Sequence, residues 1–255
     1  MLLQLNESKH ILDAISSRKG QVAVLIDPDK CKDERALVEL LDKASFAGVD
    51  YLFVGGSTVA QNDFHRVIDF LNANTEIPIV IFPGASHQIS EKADALLYLS
   101  LISGRNPDFL IGHHVQSASQ VFDMNLEVIP TGYILIDGGT HSSVAYVSQT
   151  TPIPSDRHSI ILNTAKAGLL QGKQIIYLDA GSGAKHSIPT DVINALNELS
   201  HPIIVGGGIR SIEQMEALKR AGANIVVIGN RIEENMDFLL DIQAFTSSSD
   251  KSVSH

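Results

Sequence analysis

Eight short apolar runs recur along this chain, at residues 22–26, 51–54, 79–82, 95–99, 134–136, 175–178, 203–205 and 225–228. Unbroken apolar runs of this length suit strands buried on both faces, the condition of a parallel sheet. Helical periodicity fills the intervals, over residues 33–47, 62–74, 107–122, 158–171, 190–199 and 211–221, with Asn62, Thr190 and Ser211 placed as N-caps. A short opening helix over residues 8–18 precedes the first strand. Strands and helices that alternate through short connections imply right-handed crossovers, and eight such units close most simply into an α/β fold, a (β/α)8 TIM barrel. One unit is irregular: residues 84–94 leave too little chain for a crossover helix of about a dozen residues. The helix after the third strand is therefore expected to be shortened or missing, which makes the barrel a modified one.

A chain of 255 residues is of the size such barrels reach as one domain. Residues 1–245 are assigned to the barrel, and the polar stretch 246–255 is expected to be disordered. A formal net charge of −10 argues against a nucleic-acid partner, whose binders carry a basic face. Any anion site must then be local. The single cysteine, Cys31, excludes an internal disulfide framework and a thiolate zinc cluster, and reads as a small side chain beside a strand end. No run approaches the ~20 apolar residues that span a bilayer, and the first residues lack the basic and apolar regions of a secretory signal. A cytoplasmic protein without a transmembrane segment is expected.

Three glycine-rich strand ends stand in series: Tyr177-Leu178-Asp179-Ala180-Gly181-Ser182-Gly183, then Gly206-Gly207-Gly208 before Ile209 and Arg210, then Gly229-Asn230. Each follows an apolar run and precedes a helical one, so backbone N–H groups from three neighbouring loops converge on one anion. Glycine lets the backbone approach phosphate oxygens closely. The last two runs fall on the seventh and eighth strands, the usual phosphate site of such a barrel. A dinucleotide fold is a poor rival, because the glycines close the chain and no G-x-G-x-x-G follows the first strand.

Across the mouth, the first strand ends in Asp27-Pro28-Asp29-Lys30 and the second in Gly55-Gly56-Ser57. A carboxylate on Asp27 and a hydroxyl on Ser57 form a sparse set of hard ligands, which suits Mg2+, an ion that keeps waters and takes substrate phosphate oxygens. Both residues would also serve as helix caps. Asp179 lies beside the glycine loop, where a carboxylate is repelled by phosphate unless it works on an uncharged part of the ligand; general base is the reading, with loop anchor as the alternative. His113 and His114 are adjacent on a helix and point about 100° apart, so they are discounted as a metal pair. Arg210 either meets the phosphate or extends into solvent. The aperiodic segment 138–156 reads as a cover over the site.

Taken together these stretches resemble the geranylgeranylglyceryl phosphate synthase family, the PcrB-like prenyltransferases. The matching runs are Asp27-Pro28-Asp29-Lys30, Gly55-Gly56-Ser57, Ser103-Gly104-Arg105-Asn106-Pro107 leading to His113-His114, Gly132-Tyr133-Ile134-Leu135, residues 177–183, Gly206-Gly207-Gly208-Ile209 and Gly229-Asn230. The longer loop with Pro152-Ile153-Pro154 resembles the larger of the family's two groups. The resemblance implies a homo-oligomer, dimer or hexamer, that joins an allylic prenyl diphosphate, geranylgeranyl diphosphate above all, to the C3 hydroxyl of sn-glycerol 1-phosphate. The ether lipid product then passes to the membrane. It further implies Mg2+ on Asp27 and Ser57, and glycerol phosphate on residues 177–183, Gly207, Gly208, Gly229 and Asn230. Family members usually carry glutamate where this chain has Asp179, which reaches about one methylene less. An apolar groove must take the prenyl tail; Phe82, Tyr98, Leu101 and Phe109 are candidates for its lining, and core packing explains each of them at least as well.

Two rivals stand beside this reading. A phosphate-binding isomerase or cyclase of amino-acid biosynthesis would pair Asp27 with Asp137 as acid and base across the barrel. A non-catalytic barrel that captures phosphorylated metabolites would need only the loops.

Overall fold

The computed structural model describes residues 11–250. Helix α1 (Ile11–Ser17) comes first; residues 8–10 of the expected opening helix lie outside the described residues. The eight apolar runs form β1 (Gln21–Ile26), β2 (Tyr51–Val54), β3 (Ile79–Ile81), β4 (Ala95–Leu101), β5 (Glu127–Leu135), β6 (Ile175–Asp179), β7 (Ile203–Gly206) and β8 (Ile225–Ile228). Each pairs in parallel with the next, and β8 returns to β1 with Gln21 opposite Ile225, so the barrel is closed. Strand β5 starts well before residue 134. Its first half, Glu127 to Thr131, mixes polar residues and a proline with apolar ones, yet pairs in register with Ala95 to Leu99 of β4.

Side chains alternate along the strands, as the pleat requires. On β1, Val22, Val24 and Ile26 pack outward beneath the helices, while Ala23 joins the inner core with Phe53, Val80, Leu97, Tyr133 and Ile204. Helix α1 closes the floor of the barrel by inserting Ile11 and Ile15 into that inner core. The Glu127 carboxylate caps it, accepting from the backbone N–H groups of Ile11 (2.6 Å) and Leu12 (3.0 Å), where the first turn of a helix lacks its own partners.

The outer helices are α2 (Glu34–Ala47), α3 (Gln61–Asn74), α4 (His113–Asp123), α5 (Ser143–Ser148), α6 (His158–Leu170), α7 (Thr190–Asn197), α8 (Ile212–Ala221), α9 (Asn230–Glu234) and α10 (Phe238–Asp250). A single π-helical turn over Asp108–Gly112 leads into α4. No helix stands between β3 and β4 among the described residues, as the short interval requires. Ser211 caps α8 by accepting from Gln214 N–H, whereas Asn62 and Thr190 fall inside their helices and Ala60 and Pro189 hold the cap positions. Neither Ala60 nor Pro189 supplies a side-chain hydrogen bond to its helix.

The expectation of disorder from residue 246 onward is corrected for 246–250, which continue α10. Phe238, Leu239, Ile242 and Phe245 bury this helix against the barrel, and the Thr246 hydroxyl donates to Ala47 O at 2.7 Å. Residues 251–255 lie outside the described residues.

Candidate active site

A cavity of about 390 Å³ opens at the carboxyl ends of the strands. Asp27, Ser57, Tyr177, Asp179, Ser182, Gly183, Gly207, Gly208, Gly229 and Asn230 all line it. Three residues of the run 177–183 do not. Leu178 and Ala180 have the opposite strand parity and pack into the outer core, and Gly181 is tucked under Ser142, where a Cβ would lie 2.6 Å from Ser142 Cβ. They shape the loop from behind.

On the β6–β8 side, the loops hold one another. Asn230 Oδ1 accepts from the Ser182 hydroxyl at 3.1 Å and from Gly183 N–H at 3.2 Å, tying the β6 loop to the β8 loop. Between them Gly207 and Gly208 both take left-handed backbone, φ 84° and 70°. A Cβ on Gly207 would stand 2.8 Å from Asp179 Oδ1, and one on Gly208 would stand 2.5 Å from His186 O. Glycine is therefore required at both positions for conformation and for space.

Asp179 sits at the inner end of this cradle. Its Oδ1 accepts from Gly181 N–H at 2.8 Å and its Oδ2 accepts from the Tyr133 hydroxyl. Burial pushes the Asp179 carboxyl above the usual carboxylate range, and the two donors, which favour the charged form, pull it back in part. Burial, and then the nearby carboxylate, raise the Tyr133 phenol well above its ordinary value, so it remains a donor. A carboxylate has about four acceptor positions, so two stay free for a ligand.

On the β1–β2 side, Asp27 Oδ1 accepts from Asp29 N–H at 3.2 Å, and Lys30 Nζ stands 3.7 Å from Oδ2 and 2.7 Å from Glu233. Burial raises the Asp27 pKa and Lys30 opposes the rise. The turn that carries Ser57 abuts this carboxylate, since a Cβ on Gly56 would lie 3.3 Å from Asp27 Oδ1. Asp27 and Ser57 offer one carboxylate and one hydroxyl, with Asp29, Thr58 and Glu233 also along the lining, and no group of three or more His, Cys, Asp or Glu that could hold a metal occurs among the described residues. That set fits a hard cation that completes its shell with water and phosphate oxygens, and does not fit a closed protein cage.

The far end of the cavity is apolar. Phe82, Tyr98, Leu101 and Phe109 line it together with Ile89, Leu96 and Val144. Phe82, Tyr133 and Tyr177, all in the lining, pack as a triangle of rings with centroids 5.0 to 6.0 Å apart. The segment expected to cover the site contributes Ser143 and Val144 from α5, which Ser142 caps by accepting from Ala145 N–H.

His113 and His114 border the cavity without converging: His114 Nε2 meets Leu99 O at 2.7 Å, and burial lowers its pKa. Arg210 lies at the edge of the cavity and donates to Ala184 O at 3.4 Å. Burial raises the Cys31 thiol to about 11, against any nucleophilic use. Asp137 is exposed, lies outside the cavity lining and accepts from Gly139 N–H at 2.8 Å, so it makes no acid/base pair with Asp27. Sequence reasoning missed Tyr133 as the partner of Asp179, and Gln88, a fully buried carboxamide behind the Ser57 turn.

A closed parallel barrel with a half-polar, half-apolar cavity at its carboxyl rim and glycine loops on β6–β8 places the chain among the (β/α)8 barrels that work at that rim. The chain belongs to the PcrB family, whose model matches residues 15–247. A geranylgeranylglyceryl phosphate synthase of Chitinophaga pinensis is 48% identical over 221 residues, covering 86% of this chain and 87% of that one. One of Zunongwangia profunda is 46% identical over 230 residues, 88% and 97% respectively. The crystal structure of (S)-3-O-geranylgeranylglyceryl phosphate synthase from Thermoplasma acidophilum in complex with its substrate sn-glycerol-1-phosphate matches with a TM-score of 0.86 at 31% identity, covering 94% and 97%. A mutant tryptophan synthase alpha-subunit from Pyrococcus furiosus, at 15% identity and a TM-score of 0.53, shares the fold alone.

Proposed function

We propose that this chain is a Mg2+-dependent prenyltransferase that joins an allylic prenyl diphosphate, geranylgeranyl diphosphate foremost, to the C3 hydroxyl of sn-glycerol 1-phosphate. The observation that carries this reading is one cavity with three parts: glycine loops on β6–β8, a carboxylate and hydroxyl on β1–β2, and an apolar lining that includes Phe82, Tyr98, Leu101 and Phe109. The names of the relatives and the ligand of the Thermoplasma structure point the same way.

In this reading the loop N–H groups and Ser182 hold the phosphate, and the glycerol C3 oxygen faces the allylic carbon. The new C–O bond forms as the carbon–diphosphate bond breaks, with the electron pair leaving on diphosphate. Asp179 takes the proton of the hydroxyl, directly or through one water, because its carboxylate is buried and fixed by two donors. Bound at Asp27 and Ser57, Mg2+ would neutralise the charge of the leaving diphosphate. Phe82, Tyr98, Leu101 and Phe109 exclude water from the tail.

No helix among the described residues is long and apolar enough to cross a membrane, and the proposed setting is the cytoplasm, with the lipid handed on to the membrane. Apolar side chains left open on α4 and α6, Phe122 and Leu170 among them, support a homo-oligomer, a dimer or hexamer. Light scattering reads that state.

The test is incubation with labelled sn-glycerol 1-phosphate, Mg2+ and prenyl diphosphates of graded length, followed by extraction of an apolar product. Folded protein that yields none at any length overturns the reading. A chain that binds both substrates but turns over with neither aspartate nor glutamate at position 179 would be a binding barrel.

A further inference from the structure

The turn that carries Ser57 has few hydrogen bonds of its own, although Val59 packs into the core and Ala60 N–H donates to Asp29 Oδ1 at 3.4 Å. Among the described residues no backbone-to-backbone hydrogen bond reaches Ser57, Thr58 or Val59. Its two ends are gripped from outside by two consecutive residues of the β3–β4 connection. Gln88 Nε2 donates to Gly56 O at 2.8 Å, while its Oε1 accepts from Gly84 N–H at 3.0 Å and Gly56 N–H at 3.4 Å. The His87 ring nitrogen Nε2 meets Val59 O at 2.9 Å.

Gln88 is fully buried, and neither residue lines the cavity. A buried carboxamide loses its water and is stable only when its groups are paired. Every side-chain hydrogen bond of Gln88 is spent on Gly56 and Gly84, the residues packed around Ser57, while its backbone N–H donates to Ala85 O within the same connection. The approach is close: a Cβ on Gly84 would lie 2.2 Å from Gly56 O and 2.8 Å from Ser57 Cα. Where other units of the barrel place a helix, this connection runs along the cavity wall and presses on the loop of the neighbouring strand.

We infer that His87 and Gln88 form a clamp that positions the Ser57 hydroxyl against Asp27, so that the segment replacing the missing helix sets the geometry of the cation and diphosphate side of the site. The inference rests on the assignment of Asp27 and Ser57 proposed above. Gln88 is a positioning residue: it acts through Ser57 and touches no substrate.

The test uses the full chain, with Mn2+ as probe cation and inorganic diphosphate as anion. Bound Mn2+ is read by electron paramagnetic resonance, and sn-glycerol 1-phosphate affinity is read separately by calorimetry. Gln88→Met fills the space without the hydrogen bonds. It is expected to weaken Mn2+–diphosphate binding about 10-fold or more, the scale seen when groups that orient metal ligands are removed, and to leave sn-glycerol 1-phosphate affinity unchanged. Added to Ser57→Ala, it is expected to cost nothing further, as two changes in one chain of action are not additive.

Parent-like Mn2+ binding by Gln88→Met, equal loss at both substrates, or full additivity with Ser57→Ala overturns the clamp. Should Gln88→Met fail to fold, His87→Ala removes the other grip and is read in the same way. A parent chain that binds no Mn2+ with diphosphate overturns the cation assignment and the clamp with it, an outcome distinct from variants that match a binding parent.

Discussion

Asp179 is pulled in two directions, and the balance has measurable consequences. Burial favours the neutral acid while Tyr133 and Gly181 favour the carboxylate, with a net rise in pKa. The native chain therefore keeps this proton to higher pH than the unfolded chain, whose aspartates titrate near about 3.9. The stability contributed by the group is present below that value and is lost as pH rises through the native one. Asp179→Asn is expected to gain thermal stability relative to the parent as pH increases from about 4 to 8, with the gap closing in acid; melting curves at stepped pH check the sign. Turnover of the same variant is expected to fall by roughly 100- to 10,000-fold, the usual share of a positioned base, and the acid limb of kcat/KM, above the ordinary carboxylate range in the parent, is expected to vanish. Gly207→Ala forces a side chain into left-handed backbone and against Asp179. A stability loss of about 1–3 kcal/mol is expected, with a raised KM for sn-glycerol 1-phosphate. Glycines and carboxylates at strand ends were legible in the sequence because their chemistry depends on type and place. Leu178 and Ala180 belong to the same motif but fall outside the lining, because the pleat turns alternate residues away. Tyr133 and Gln88 were illegible because Asp179 and Gly56, the partners that give them their roles, lie 46 and 32 residues away along the chain.

At the level of elements, α5 and the β3–β4 connection depart most from a regular barrel, and both border the cavity. Val144 presents the apolar face of α5 to the site. Val144→Asp places a charge there, and KM for the prenyl diphosphate is expected to rise at least several-fold while calorimetric affinity for sn-glycerol 1-phosphate stays within twofold. Equal losses for both would mean that α5 serves the whole mouth. Ser211→Ala removes the cap of α8, at an expected cost of about 1 kcal/mol, read as a melting point lower by roughly 2–4 °C. Strands and long helices were legible from apolar period and length, and the absent helix from chain length alone. The early start of β5 was not, because Glu127, Pro130 and Thr131 interrupt its apolar pattern while pairing with β4 supplies the order. Helix α5 is six residues long within a polar stretch, too short to show a period.

For the molecule as a whole, closure of the barrel is what brings β8 beside β1 and so sets residues more than two hundred positions apart into one cavity, as the 2.7 Å ion pair of Lys30 and Glu233 shows. Eight apolar runs made that closure legible, and parallel pairing fixed which strand ends share a rim. The continuation of α10 through residues 246–250 was hidden by its polar composition, and depends on Phe245 and Thr246 meeting α2 and the barrel. The proposed chemistry requires two anions facing one another across this rim. The most direct measurement is a crystal structure with sn-glycerol 1-phosphate, Mg2+ and an unreactive thiolo analogue of the prenyl diphosphate. The monophosphate is expected on the backbone N–H groups around Gly183, Gly208 and Asn230, and the cation on Asp27 Oδ2 beside Ser57. Glycine loops without phosphate, or Asp27 turned away from any cation, would contradict it.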